Sequence, residues 1–136
     1  MKDTDMEQTV RSVIRRMTAS SVMNLAFARN LIREVEKKAQ EMGVKAVVAV
    51  SDAAGRPVAI ECMDGAYIGS FDVALNKTFT SVAFQMSTAE LGKLASPGGS
   101  LYGIQNTNDG KIVIFGGGEP LYVDDVLIGA IGVSGG

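Results

Sequence analysis

The stretch SPGGSLYGIQNTNDGKIVIFGGGEP, residues 96–120, decides how the rest of the chain is read. Glycines crowd into it, and two of the chain's three prolines lie within it. Glycine at this density marks backbone in unusual φ/ψ, or backbone that must approach something closely. Inside it, Lys111–Phe115 reads as a strand, Gly116–Gly118 as a break, and the chain resumes as a strand at Leu121–Val123. Asp124-Asp125 then makes a turn into a last strand over Val126–Val133.

Working outward, Ser87-Thr88-Ala89-Glu90 is a capping-box pattern that opens a short helix to about Leu94. Before it, a helix is expected from about Ile68 to Gln85, with Leu75, Phe79, Val82, Ala83 and Met86 as its buried stripe. Lys77 lies about 200° around from Leu75, on a face shared with Ser70, Ser81 and Phe84. Val44–Ser51 and Pro57–Met63 are β-branched runs around the turn Asp52-Ala53-Ala54-Gly55, so they pair as a hairpin. Asn24 to Met42 forms a further helix, buried through Ala28, Leu31, Ile32, Val35, Ala39 and Met42, with Gly43 at the C′ position. Strands in runs separated by helices indicate an α+β layer fold with an antiparallel sheet.

Residues 4–17, TDMEQTVRSVIRRM, form a separate amphipathic unit. Met6, Val10, Val13, Ile14 and Met17 make one apolar stripe over about four turns. A helix this short is marginal alone in water, so its stripe needs a partner surface. Residues 18–21 read as a linker, which divides the chain into a helix with linker (1–21) and a folded domain (22–136).

Composition bounds the function. The chain has 136 residues and net charge −2, with no histidine, no tryptophan and one cysteine. Nothing here favours nucleic acid or an anionic membrane. No apolar run reaches the ~18–20 residues that span a bilayer, and no secretory h-region opens the chain. The single Cys62 allows no intrachain disulfide and fits a cytoplasmic setting. Without histidine there is no His-based triad, His zinc site or His-ligated haem. Cys62, beside Met63, is expected in the core, and no carboxylate cluster suggests a metal site.

Three segments, VVAVSDAAGRPVAIECMDGA (47–66), ALNKTFTSVAF (74–84) and the whole of 88–136, resemble the GlcG/HbpS-like haem-degrading domain family. The same domain forms the C-terminal half of PduO-type corrinoid adenosyltransferases. The resemblance implies a profilin-like α/β sandwich with a five-stranded antiparallel sheet and helices packed on it. It also implies a homo-oligomer, assembled through dimers into tetramers or octamers, and an accessory role in binding haem or a corrinoid-related ligand. The alternatives are a haem-degrading enzyme and a structural oligomer that scaffolds other proteins. Haem-binding relatives use an axial histidine that this chain lacks. They also continue past V-S-G-G into a C-terminal helix, so one sheet face is expected to stay open or to be covered by a neighbouring subunit. MEQTVRSVIRRM resembles the peptides that lead enzymes into bacterial microcompartments, where the stripe would meet shell or cargo proteins and place the chain in the lumen. The other reading is that the stripe packs on its own domain.

Candidate ligand contacts follow. Asp64 and Lys77 sit in the matching segments and either pair with each other or meet a ligand. The Gly116-Gly117-Gly118 turn either offers backbone N–H groups to an anionic group or is a tight strand connection. Asn106 and Thr107 either donate to a ligand or satisfy their own loop through local turns. The ligand is expected near Lys77, the glycine-rich loops and a subunit interface.

Overall fold

The computed structural model describes residues 3–16 and 22–136, with side chains from 7–14 and 22–136. Among the described residues, four α-helices and four strands follow in the order α1 (Asp3–Arg16), α2 (Leu25–Glu41), β1 (Ala46–Asp52), β2 (Pro57–Cys62), α3 (Gly69–Phe84), α4 (Thr88–Leu94), β3 (Gly118–Val123) and β4 (Val126–Gly135), with two short 3-10 turns between α4 and β3. The sheet runs β2-β1-β4-β3 and every neighbouring pair is antiparallel.

Local chemistry explains most element ends. The Asn24 side chain accepts from the Phe27 N–H at 2.8 Å and starts α2. Gly43, at φ +71°, turns the chain out of it. Ser87 caps α4 by accepting from the Glu90 N–H at 3.1 Å. Asp52 closes the β1–β2 loop by accepting from the N–H groups of Ala54 and Arg56, both at 3.0 Å. Asp124 and Asp125 both take left-handed φ, as a two-residue hairpin turn between right-twisted strands requires.

β1 carries a continuous buried run over its first six residues, and β4 is buried from Ile128 to Ser134. Both faces of these central strands are therefore covered, and neither is left open. Ala46, Val48 and Val50 face α2 and join Leu31, Ile32, Val35, Ile131 and Val133 in the main core. Val47 and Ala49 point the other way, toward Ala74 of α3. The result is three layers, with α1 and α2 on one side of the sheet and α3 on the other.

Five sequence expectations need correction. The sheet has four strands, so the five-stranded description is too large by one. Lys111–Phe115 is not a strand: the Thr80 hydroxyl, whose proton goes to the Asn76 carbonyl at 2.8 Å, accepts from the Val113 N–H at 3.0 Å in place of a strand partner. The apolar stripe of α3 is its outward face. Ser70, Ala74, Lys77, Thr78 and Ser81 point inward instead, because β4 approaches so closely that a Cβ at Gly132 would collide with the Ala74 carbonyl. Cys62 and Met42 are exposed rather than buried, since β2 is an edge strand and Met42 already lies in the α2 cap.

The stripe of α1 is occupied within the chain. Val10 and Val13 are 0% exposed and pack into the main core, with Ile14 against it. Arg11 donates from Nε to Glu119 Oε1 at 2.7 Å. Met17 and the Met6 side chain lie outside the described residues.

Candidate functional site

Arg33, Glu36, Lys37 and Gln40 recur at three- and four-residue spacing along α2, so they share one helix face. The turn of Gly43, Val44 and Lys45 brings the chain back under that face. Cys62, Met63 and Asp64 close the far wall at the end of β2. Together these residues line a cleft of about 600 Å³, within the size range of small-molecule sites.

The cleft is rich in charge. Arg33, Lys37 and Lys45 supply three cations, and Glu36 and Asp64 two carboxyls. Lys37 pairs with Glu34 at 3.3 Å on the helix surface. Burial is the main influence on Glu36, raising its pKa to about 7, with help from a hydrogen bond and charge repulsion from Glu61 and against the attraction of Arg33. Near neutrality Glu36 is thus partly protonated, and the cations then outnumber the remaining carboxylate. Such a surface suits a ligand bearing carboxylates. The Cys62 thiol is exposed at the cleft wall. The Met63 sulfur is engaged, accepting from the Ala46 N–H at 3.4 Å.

Of the residues expected to meet a ligand, Asp64 lies on this cleft. Lys77 does not. It projects from α3 toward the opposite face of the sheet, is 2% exposed, and donates from Nζ to the Val133 carbonyl at 2.8 Å. Its ammonium also sits 4.8 Å from the centre of the Phe115 ring, a cation–π distance. Gly116–Gly118 are brought close to it. A Cβ on Gly118 would lie 2.9 Å from the Lys77 carbonyl and 2.6 Å from Thr88 Cγ2. The Gly118 N–H donates to Thr88 Oγ1 at 2.9 Å, and the Gly117 carbonyl accepts from the Val133 N–H at 2.9 Å. These buried glycines let α3, α4 and β4 converge. Asn106 and Thr107 are exposed on a separate loop, where the Thr107 hydroxyl donates to the Ile104 carbonyl at 2.6 Å.

Sequence reasoning missed Arg33, Glu36, Lys37 and Lys45. Their spacing on α2 was visible, but a polar helix face is ordinarily just solvated. Among the described residues, no group of three or more His, Cys, Asp or Glu side chains is placed to hold a metal ion. None of the described helices is long and apolar enough to cross a membrane.

A family model for haem-degrading HbpS-like proteins matches residues 23–136. The chain belongs to the HbpS-like family. This HbpS-like chain is 42% identical over 116 residues to an uncharacterised 15.0 kDa protein from the dhaT–dhaS intergenic region of Citrobacter freundii, covering 85% of this chain and 82% of that one. It is 40% identical over 106 residues to the corrinoid adenosyltransferase PduO of Salmonella typhimurium. That match covers 78% of this chain and 32% of PduO, so the HbpS-like chain spans about a third of that enzyme's length. Among solved structures, a PduOC:heme complex superposes with a TM-score of 0.82 at 36% identity, covering 85% of this chain and 83% of the other.

Proposed function

We propose that this chain is an accessory protein that binds a carboxylate-bearing tetrapyrrole, with haem as the leading ligand, in the cleft between α2 and the end of β2. The observation that carries the reading is the similarity, in sequence and in fold, to PduOC in a complex with heme. The cleft suits such a ligand in two respects. Arg33, Lys37 and Lys45 would neutralise propionate groups, and Cys62 offers an exposed sulfur donor in a chain without imidazole. Bound haem would supply a redox-active iron centre. The protein's own part is to hold the carboxylates, present the thiol and exclude water along the Val44–Met63 wall.

Titration of the full chain with haemin tests this. A saturable 1:1 Soret band is expected, with its position changed in Cys62→Ser and its affinity about tenfold weaker in a Lys37→Glu variant. No Soret change at stoichiometric haemin would sink the reading. A band that ignores both substitutions would move the ligand away from this cleft.

A second reading, haem degradation, is favoured by the name of the matching family. Loss of the Soret band under ascorbate and oxygen, with a bile-pigment spectrum appearing in its place, would support it. Packaging through residues 4–17 and a scaffolding role belong to the same proposal. Both require α1 to leave its seat, because Val10 and Val13 are buried there. Fusing residues 1–21 to a fluorescent protein in shell-producing cells separates the outcomes, and a diffuse signal counts against packaging.

A further inference from the structure

Gly65 has no side chain, and Lys45 takes the space one would fill. A Cβ on Gly65 would stand 2.8 Å from Lys45 Cδ, 3.3 Å from Cε and 3.1 Å from Nζ. The backbone arranges this. Val47 pairs with Cys62, and the Met63 N–H donates to the Ala46 carbonyl at 3.0 Å, so the same register carries Lys45 across from Asp64. The chain then reverses at once. The Ala66 N–H donates to the Met63 carbonyl at 3.0 Å, with Gly65 at φ +83°. The third position of such a four-residue turn favours glycine. Gly65 therefore serves twice, through its backbone angle and as the bed on which the Lys45 stem lies.

The result is an ammonium placed at one end of the cleft. The other two cations of the cleft are engaged by side chains of their own helix. Arg33 Nη1 donates to Asn30 Oδ1 at 3.2 Å, and Lys37 Nζ pairs with Glu34 at 3.3 Å. Among the described residues, the Lys45 ammonium has no ion-pair or hydrogen-bond partner, and even Asp64 is not within ion-pair distance of it. A lysine gives up rotamer freedom when it grips a ligand. One already laid along a turn gives up less, which favours binding.

We propose that Lys45, bedded on Gly65, is the carboxylate anchor of the cleft, so that the ligand lies with an acidic group at the Asp64–Gly65 turn and its apolar body along Val44 and Met63. Lys45 makes the contact, and Gly65 is the positioning residue. Asp64 sits on the same turn and repels further negative charge, so the anchor takes one carboxylate rather than two. This role for Lys45 depends on the tetrapyrrole reading of the cleft and adds which end of it receives the acid.

Iron-free protoporphyrin IX and its dimethyl ester, titrated into the full chain and followed by porphyrin fluorescence, test the anchor. The diacid is expected to bind about tenfold more tightly than the ester. Lys45→Met keeps a stem on the turn but removes the charge, and should bring that preference close to one. Gly65→Asn keeps a left-handed backbone, which asparagine tolerates, while its Cβ pushes the lysine aside. It should lose the same preference with little change in Tm, because the displaced atoms are the end of a flexible chain. In the Lys45→Met background it should lose nothing further. A diacid preference that survives Lys45→Met overturns the anchor and leaves the tetrapyrrole reading standing, as does equal binding of acid and ester by the native chain. A Gly65→Asn variant that lowers Tm but keeps the preference overturns the positioning role. Failure of both porphyrins to bind overturns the anchor and the tetrapyrrole reading together.

Discussion

Lys77 shows how one side chain can be placed correctly on a helix while its surroundings are set elsewhere in the chain. Its separation from Leu75 was legible from helical geometry. The direction of that face was not, because it depends on which side of α3 the sheet accepts. Buried at 2% exposure, with its ammonium on the Val133 carbonyl, it fills space between α3 and β4. Lys77→Met keeps most of that volume but leaves the buried Val133 carbonyl without its donor, so it should cost about 1–3 kcal/mol. Lys77→Ala leaves a cavity and should cost about 2–5 kcal/mol. Chemical denaturation of both variants checks this. If the Met variant is as damaged as the Ala variant, the ammonium rather than the stem holds the position.

At the scale of elements, α1 is the helix whose seat matters most. Complete burial of Val10 and Val13 is worth about 1.5–3 kcal/mol each. The Arg11–Glu119 pair adds orientation: Glu119 is buried, Oε1 receives Arg11, and Oε2 has no hydrogen-bond partner among the described residues. Burial pushes the Glu119 carboxyl up, while the hydrogen bond and charge of Arg11 pull it back. Arg11→Ala strands that carboxylate and should cost about 1–3 kcal/mol, read as a lower Tm. Adding Glu119→Gln should recover most of the loss. A double variant no better than Arg11→Ala would show that the Arg11 stem, not the charge, seats the helix. The amphipathic stripe and its need for a partner were visible in the residues; that the partner is α2 and β3 of the same chain was not. Likewise, the strand propensity of Lys111–Phe115 was legible but lost to a competitor 33 residues away, the Thr80 hydroxyl that accepts from the Val113 N–H.

For the whole molecule, the raised Glu36 sets a pH dependence. Its ordinary value is 4.5, and in the fold it is about 7. Below 4.5 both folded and unfolded chains hold the proton. Between 4.5 and 7 the unfolded chain loses it first, so this group lowers stability as pH rises, and above 7 the penalty is constant. Glu36→Gln should flatten the Tm profile across that window and raise Tm at pH 8. A profile identical to that of the native chain would remove Glu36 as its source. The same burial makes the cleft most cationic on the acid side of neutrality.

The sequence by itself determined the elements whose cause is local: the Asn24 and Ser87 caps, the Asp52 and Asp124-Asp125 turns, the hydrophobic run of β1 and the family membership carried by residues 88–136. These depend on side chains within a few residues of one another. Tertiary structure alone decided which face of α3 turns inward, where the stripe of α1 rests and that the cleft gathers Arg33, Lys37, Lys45 and Cys62. Those outcomes depend on how closely distant backbones approach, as Gly132 does beneath Ala74, and spacing along a chain does not encode that distance.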